Sequence, residues 1–307
     1  MITQLLIRQI VILFIMMGLG FLLVKVRAVK SQDSKILSLI TVYLIFPCVI
    51  ISSFQIEYSD SIRNGFLLAL GAAVIIHIIL FILCFVFGKL IKLNVVEKTS
   101  LVYSNAGALI VPLVSAVLGD EWVIYASAFL TVQLLILWTH GQSLMQGRAQ
   151  INWKKILTNI NLLAVIAGLI IFFGRITLPG IVTDTISSIS DTVGPISMIM
   201  IGMLLAGVNW KSVFSGIRIY IIVVLKMIVF PLIVLLFLKY SGTSGFVSDG
   251  KQILLISLMA VITPSATTVT QMALIYDQDA EYAGTINALT TLVSIATMPL
   301  MVMLYLA

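Results

Sequence analysis

Charged residues are scarce in this sequence, in which Asp, Glu, Lys and Arg together make up 10% of 307 residues. Water-soluble globular domains carry about 25%. Hydrophobic residues account for 61% of the chain, and the mean hydropathy is +1.18. This composition excludes a water-soluble globule and predicts an integral membrane protein of the all-α polytopic class.

Cysteine and histidine are also scarce, with two of each. Cys48 and Cys84 fall inside apolar segments, where no oxidising solvent reaches them, and they lack metal-ligand spacing. The sequence has no His-Glu-x-x-His zinc motif and no glycine-rich phosphate loop with a lysine. We therefore expect no cofactor, no bound metal and no enzymatic activity.

One short segment matches an enzyme motif. Gly242-Thr243-Ser244-Gly245 fits the Gly-x-Ser-Gly of rhomboid-type serine proteases, in which the serine needs a histidine base within hydrogen-bond reach. The sequence places neither His77 nor His140 to serve it. We interpret the segment as a flexible linker, which its composition resembles.

Long polar blocks are absent, which argues against a sensor with a soluble output domain and predicts a single transmembrane domain over residues 1–307. Apolar stretches of about 20 residues, each able to cross the roughly 30 Å hydrocarbon core, predict ten helices. These stretches begin near Gln4, Lys35, Phe66, Thr99, Trp122, Ile156, Ile181, Gly216, Lys251 and Tyr282.

Basic residues are distributed unevenly between alternate connectors, and this predicts orientation because lysine and arginine resist translocation. The connectors after odd-numbered helices hold twelve of them and the opposite connectors hold four. Both termini are therefore predicted outside a cell membrane that the chain crosses many times. The net charge of +6 follows from this topology, so the expected macromolecular surroundings are lipid and not nucleic acid.

Proline is infrequent, and four of the seven prolines interrupt predicted spans: Pro47, Pro112, Pro195 and Pro264. A proline inside a membrane helix frees a carbonyl that lipid cannot satisfy, so such breaks persist where they line a cavity. We predict that the fourth and ninth helices are broken, around Asn105 to Pro112 and around Thr263-Pro264. Broken helices at matching positions of two halves are typical of secondary transporters.

Ten helices divide into two sets of five, and an odd number per set inverts the second set. The halves are predicted to cover about 1–150 and 151–307. Three pairs of positions support the repeat, with separations of 148, 149 and 152 residues: Pro47 with Pro195, His77 with Lys226, and Pro112 with Pro264.

Several motifs resemble the auxin efflux carrier family, whose bacterial members include malate and malonate permeases. The run Asn105-Ala-Gly-Ala-Leu-Ile-Val-Pro112-Leu is similar to its fourth-helix signature. Further similar segments are Asn161 to Gly168, Leu178-Pro179, Gly194-Pro195, Ile201 to Ala206, Pro264-Ser-Ala, Tyr276-Asp277, Thr290-Thr291-Leu with Ser294, and Pro299-Leu300. The resemblance covers essentially the full length.

This resemblance implies ten helices in two inverted repeats with helices four and nine crossing at the bilayer centre, a fold shared with bile acid:sodium symporters and sodium/proton antiporters. The long cytoplasmic loop of plant auxin carriers is missing, and the short chain looks like the bacterial permeases. The broken helices are compatible with several substrates: malate, malonate, lactate, an amino acid or a larger aromatic acid. Paired breaks favour a carrier, and a channel is the less favoured alternative.

The breaks themselves point to an anion, because a helix that starts after a break presents free N–H groups and a partial positive charge. Neutral side chains around the breaks can add hydrogen bonds to substrate oxygens, or they can serve only to satisfy the broken backbone. The residues predicted to bind substrate are Asn105, Gly107, Thr263, Ser265, Thr267, Gln271 and Lys226.

Ionisable residues inside spans are costly and hence candidates for function. Lys226 could pair with a substrate carboxylate, act in coupling or pair with a protein acid. His77 could titrate near neutral pH or serve packing. Asp191 is the obvious proton carrier, or else it pairs with Lys226 or caps a kink at Pro195. Arg8 is expected to reach the head groups.

The coupling ion is left open by the sequence. Sodium sites favour several oxygen ligands, often with a carboxylate, and the crossing region has no acid. Sodium is therefore disfavoured, while proton coupling and uncoupled movement of the anion both remain. The sequence also leaves open whether the protein forms a homodimer.

Overall fold

The computed structural model describes residues 2–56, 58–147, 158, 160–207 and 216–307. Within these residues the structure is helical, with a single isolated β-bridge and no strand. The helices, numbered along the described chain, are α1 Ile2–Lys25, α2 Ser31–Ser53, α3 Asp60–Ile91, α4 Val95–Val102, α5 Ala106–Leu118, α6 Val123–Gln146, α7 Ile160–Gly174, α8 Gly180–Ala206, α9 Ile217–Tyr240, α10 Gly250–Val261, α11 Thr267–Ile275 and α12 Ala280–Leu306.

Six of these helices, α2, α3, α6, α8, α9 and α12, are long and apolar enough to cross a membrane. Large apolar side chains cover the outside of the molecule, as on α3, where Leu67, Ile78, Ile82 and Phe85 are all more than half exposed. A surface of this kind is stable in lipid and not in water. The prediction of a polytopic all-α membrane protein is confirmed at this level.

The helices pack as two bundles. In the first bundle, α1 lies along α8, and α2 packs against α7 and α8. In the second bundle, α3 packs against α6 and α10, and α4, α5, α9, α11 and α12 complete it, with α5 also packing against α1 and α8 of the first bundle. The predicted boundary between the two halves of the sequence, near residue 150, lies outside the described residues, as do Arg148, Lys154, Lys155 and Lys211 of the basic connectors.

Close helix contact in the first bundle depends on two glycines. A Cβ atom on Gly20 of α1 would overlap the backbone carbonyl of Ile199 in α8, and a Cβ on Gly202 of α8 would overlap the carbonyl of Met17 in α1. Small residues at such positions let two backbones approach and gain dispersion contacts, which drive helix association in lipid.

Only one of the four predicted proline breaks falls where the backbone unwinds. Pro264 lies in the unwound residues 262–266, between α10 and α11. Pro112 lies inside α5, so the helix is not broken at this proline. The fourth predicted helix unwinds at residues 103–105, at the amino-terminal edge of the range Asn105 to Pro112 in which the break was predicted.

The other two prolines lie within the long helices α2 and α8. Pro47 follows one turn of π-helix, Thr41–Ile45, and α2 continues through it to Ser53. The wider turn accommodates the missing proline N–H, as π-bulges do. Pro195 follows a non-helical turn at residues 191–192 of α8, because its nitrogen cannot donate to the carbonyl four residues earlier.

Gly20→Ala is expected to destabilise the protein, because the added methyl group must push α1 away from α8 at a backbone contact. Overpacking of this kind costs about 1–3 kcal/mol. Gly18→Ala, on the same helix with no atom within 4 Å of its Cβ position, is the matched control. Thermal unfolding of both purified variants in detergent checks this; equal midpoints would contradict a close α1–α8 contact.

Candidate functional site

The two unwound segments meet and hydrogen-bond to each other. Ser104 and Ser265 form an antiparallel bridge. The Asn105 N–H donates to the Pro264 carbonyl at 2.7 Å, and the Ala266 N–H donates to the Tyr103 carbonyl at 3.0 Å. The breaks therefore satisfy part of each other's backbone, which no lipid could do.

Side chains from two neighbouring helices hold the crossing segments in place. The Gln133 amide on α6 accepts from the Ser104 N–H at 3.2 Å and donates to the Ser104 carbonyl at 2.9 Å. On α12, Thr290 accepts from the Ser265 N–H at 3.2 Å, and Asn287 donates to the Ser265 carbonyl. Each break is thus clamped at one serine, Ser104 or Ser265, by the second helix that follows it in the sequence.

Lys226 of α9 is fully buried beside the first break. Its ammonium group donates to the Leu101 carbonyl at 3.2 Å and to the Ser104 hydroxyl at 2.8 Å. Both acceptors are neutral, and no described carboxylate lies within ion-pair distance of it. The Lys226 side chain ends at the carboxyl end of α4, where the negative end of the helix dipole favours a positive charge.

A cavity of about 80 Å³ lies next to the crossing, between the two bundles. The second bundle contributes residues from the break, from α5, α6 and α11, and the first contributes residues from α2, α7 and α8. Its polar lining residues are Ser38, Thr41, Ser104, Asn105, Gln133, Asn161, Thr267, Thr268 and Gln271. We call it the central cavity.

The amino-terminal ends of α5 and α11 both border the central cavity, through Asn105 and Gly107 and through Ala266 and Thr267. Neither helix has a side chain that caps its first N–H groups. Two partial positive charges therefore lie at one small cavity whose lining residues are all uncharged.

Asn105 is the most informative of the predicted substrate residues. Its side chain is 7% exposed, and its Nδ2 atom is buried with no hydrogen-bond partner. The amide does not cap α5, so the alternative in which this side chain only satisfies the broken backbone has no support from its contacts. A buried donor without a partner is costly, and one that borders a cavity is available to a molecule bound there.

Gly107, Thr267 and Gln271 also line the central cavity. A Cβ at Gly107 would lie 3.1 Å from the ring of Phe46 on the opposite wall, so a larger residue would crowd the site. The Gln271 amide donates to Ser38 of α2 at 2.7 Å, which links the two bundles across the cavity.

Three predicted substrate residues lie outside the cavity lining: Thr263, Ser265 and Lys226. The Thr263 hydroxyl donates to the Ala260 carbonyl of the preceding helix, α10, at 2.8 Å. Ser265 is held through its backbone, and its own hydroxyl is buried without a partner. These residues build the crossing next to the cavity.

The coupling candidates are also separate from the central cavity. His77 is buried on α3, with its Nδ1 atom 2.7 Å from the Ala73 carbonyl and its ring against Phe129. Asp191 is exposed at the turn within α8 and does not pair with Lys226. Neither residue contacts the crossing segments through a hydrogen bond in the described structure.

Sequence reasoning missed Ser104, Gln133 and Asn287. Gln133 could have been found, since an amide in the middle of an apolar helix needs a partner. It also missed an ion pair that Arg218 of α9 makes with the fully buried Glu97 of α4, at 2.5 and 2.8 Å. Tyr282 of α12 donates to the same carboxylate at 2.9 Å, which ties three helices together beneath the first break.

The described residues contain no group of three or more His, Cys, Asp or Glu that could hold a metal ion. Ser244 lies in a short 3₁₀ turn, Thr243–Phe246, between α9 and α10. His77 and His140 bond to Ala73 and Tyr103 respectively.

Gln133→Leu is expected to destabilise the protein strongly, since it leaves the N–H and carbonyl of Ser104 without partners at about 1–3 kcal/mol each. Thr139→Val on the same helix, whose hydroxyl bonds only to its own helix backbone, is the control. Thermal unfolding in detergent should show a much larger fall for Gln133→Leu. Equal midpoints would mean that the amide does not hold the break.

Comparison with known proteins identifies the chain at the level of its family. A family model described as membrane transport protein matches residues 5–152 and 149–302, which together span nearly the whole chain. Comparison with curated protein sequences found no significant match. The family is one of transporters and not of enzymes, and it is the one suggested by the sequence motifs. The chain therefore belongs to the membrane transport protein family, the auxin efflux carriers.

Proposed function

We propose that this membrane transporter is a secondary carrier of small organic anions and that the central cavity is its substrate site. The observation that carries the proposal is the unpartnered Asn105 amide at a cavity on which two helix amino-terminal ends open. A carboxylate would accept from the amide and from the free backbone N–H groups, and the two helix dipoles would favour its charge.

None of the described residues that line the cavity is acidic, which supports an anion over a cation. Lys226 adds positive charge one residue away, since it donates to Ser104, which lines the cavity. A buried ammonium with only neutral partners is costly, and a nearby anion would offset part of that cost.

The size of the cavity favours a small acid. Its volume of about 80 Å³ is well below the roughly 300–1,000 Å³ of pockets for drug-sized ligands. Malonate, malate or lactate fit this volume better than a larger aromatic acid. A carrier of amino acids is the second candidate. The neutral amides and hydroxyls of the lining can donate hydrogen bonds to the carboxylate of an amino acid and accept them from its ammonium group.

We propose that the fold is ten helices in two inverted repeats of five, with α4–α5 as the fourth helix and α10–α11 as the ninth. The matching clamps support this: α6 holds the first break at Ser104 and α12 holds the second at Ser265. Both termini lie outside the cell membrane in this proposal.

Alternating access would follow from movement of the second bundle against the first, because each supplies one wall of the cavity. Hydrogen bonds that cross this interface run from Gln271 to Ser38 and between Ser53 and Ser127. Both bonds join neutral groups, so breaking them during the movement costs little free energy once water or other polar groups replace the partners. A carrier with these walls needs no continuous pore.

Coupling is proposed to use protons or no ion at all. Sodium is disfavoured because the cavity offers amide and hydroxyl oxygens but no carboxylate. Asp191 and His77 remain the proton candidates, and both act at a distance from the cavity in this scheme. Uptake assays in vesicles at imposed proton, sodium and electrical gradients distinguish these modes.

Asn105→Ala is expected to weaken carboxylate binding about tenfold or more while the fold survives, because a hydrogen bond to a charged group is lost. Binding is measured as the shift of thermal unfolding with rising malonate, malate or lactate, with malonamide as the neutral comparison. Ser100→Ala is the control, since its hydroxyl is also buried and unpartnered but does not line the cavity.

If none of these acids stabilises the protein, the carboxylate proposal is overturned, while the assignment to a transporter family still holds. Stabilisation that is unchanged in Asn105→Ala would remove this residue from the site. Equal loss in Ser100→Ala would mean that the effect is one of packing.

Lys226→Met is expected to weaken carboxylate binding although its side chain lies outside the cavity, because positive charge beside Ser104 is removed in a low-dielectric region. Lys239→Met on the same helix, whose ammonium bonds to the Leu304 carbonyl at the exposed end, is the matched control. The same thermal-shift titration with malonate measures both. A lower unfolding midpoint with an unchanged malonate affinity would assign Lys226 to structure alone.

A further inference from the structure

One aromatic side chain, that of Phe46 on α2, lines the central cavity. The other lining residues that the structure describes are aliphatic or small and polar. Phe46 keeps part of its surface exposed, whereas Val49 and Ile50, which follow it along α2, are 4% and 3% exposed. A ligand in the cavity would therefore meet the Phe46 ring and much less of these two neighbours.

The tip of the Phe46 ring points at the first turn of α5. A Cβ atom on Gly107 would lie 3.1 Å from the ring Cζ atom and 3.2 Å from Cε2, which is too close unless the ring moves. Phe46 belongs to the first bundle and Gly107 to the second. The ring and the glycine thus face each other from opposite walls, and together they set the width of the cavity at this level.

The backbone of α2 fixes the ring in this place. Thr41–Ile45 forms one turn of π-helix, and the Phe46 N–H donates to the Thr41 carbonyl five positions earlier. Such a turn is wider than an α-helical turn, and turns of this kind often occur at functional sites. Phe46 lines the cavity, while Ile45 is buried and does not line it. Pro47 restricts the backbone directly after the ring.

The ring lies beside the end of the cavity where the proposed substrate carboxylate would bind. Gly107 is in the first turn of α5, directly after the break that carries the unpartnered Asn105 amide. An acid that accepts hydrogen bonds there has its carbon chain next to the Phe46 ring. One methylene group more or less against an apolar wall changes affinity by about 10–200-fold, so the ring is placed to select by length.

We propose that Phe46 and Gly107 are specificity-determining residues of the central cavity, and that the Phe46 ring limits the cavity to short-chain carboxylates. This inference rests on the proposed function, because it concerns the size of the acid that binds there. A short diacid such as malonate fits between the first turn of α5 and the ring. A longer diacid such as adipate meets the ring before its carboxylate reaches the helix N–H groups.

The test is equilibrium binding of radiolabelled malonate to the purified full-length protein in detergent, with unlabelled succinate, glutarate and adipate as competitors. The wild-type protein is expected to bind malonate more tightly than adipate. Phe46→Ala is expected to raise the affinity for adipate relative to malonate about tenfold or more, because the added methylene groups then have room. Phe46→Leu, which keeps an apolar side chain for packing, is expected to change this ratio in the same direction by a smaller factor.

The ratio of two affinities separates selectivity from folding. Unfolded protein lowers the number of binding sites in a sample, but it does not change the ratio measured on the sites that remain. Phe85→Ala is the matched control, since Phe85 of α3 is 62% exposed and does not line the cavity. Its ratio of adipate to malonate affinity should equal that of the wild-type protein.

A second substitution tests the contact between the two walls. Gly107→Ala is expected to weaken malonate binding in the wild-type protein, because the added methyl group presses on the ring, although alanine itself favours a helix. In the Phe46→Ala protein the methyl group has room, so Gly107→Ala should weaken malonate binding much less. Non-additivity of this kind is expected of residues in contact.

Two sets of results would overturn the role of Phe46 and leave the proposed transport site intact. One is malonate binding by the wild-type protein with the same adipate-to-malonate ratio in both Phe46 variants. The other is an equal effect of Gly107→Ala in the wild-type and Phe46→Ala proteins. If the wild-type protein binds none of the four acids, the proposed function is overturned, and the role of Phe46 with it.

Discussion

Backbone polar groups freed inside a membrane protein must find partners within the protein, and the centre of this molecule is organised by that constraint. Two helices unwind in its interior, at residues 103–105 and 262–266. Lipid has no hydrogen-bond partners for their N–H and carbonyl groups. The two segments therefore hydrogen-bond to each other through an antiparallel bridge at Ser104 and Ser265. Neither break would be tolerable alone, which explains why they occur as a pair and why they cross.

The surrounding polar side chains follow from the same constraint. The bridge leaves the inner N–H and carbonyl groups of both serines to be satisfied from outside, and α6 and α12 supply Gln133, Thr290 and Asn287 for this purpose. Lys226 donates a hydrogen bond to the Leu101 carbonyl at the end of α4. Once these demands are met, the Asn105 amide is left over at the cavity. Function is best inferred from such remaining groups, because the satisfied ones already have a structural role.

Much of the fold was predictable because lipid imposes simple rules on composition. Apolar stretches of about 20 residues predicted helices whose starts agree with the structure to within six residues wherever those starts are described. Proline was a poorer guide. A proline removes one N–H group, and a helix can absorb that loss by a π-turn, as before Pro47, or by simply continuing, as at Pro112. The site of unwinding depends on whether a partner segment lies opposite, which is a tertiary fact.

The site was predictable in part for the same reason. Asn105, Gly107, Thr267 and Gln271 border the cavity because they begin the helices that follow the breaks, and sequence order alone places them there. The roles of Thr263 and Ser265 could not be read in this way, since a hydroxyl beside a break can face its own helix or the cavity. Lys226 was identified as buried, but its partners come from a helix more than 120 positions away in the chain.

Whether a charged side chain occurs at a given place in this protein follows from whether water reaches it. At the crossing, no charged side chain borders the cavity, and the positive potential comes from helix ends and from Lys226 behind Ser104. Fixed dipoles attract an anion without holding it by a full ion pair, which suits a substrate that must also leave. At the end of α7, Arg175 is exposed and carries a full charge over the ring of Tyr58. A full charge is inexpensive there because water reaches it, whereas the same guanidinium at the crossing would need a permanent counter-ion that blocks the site.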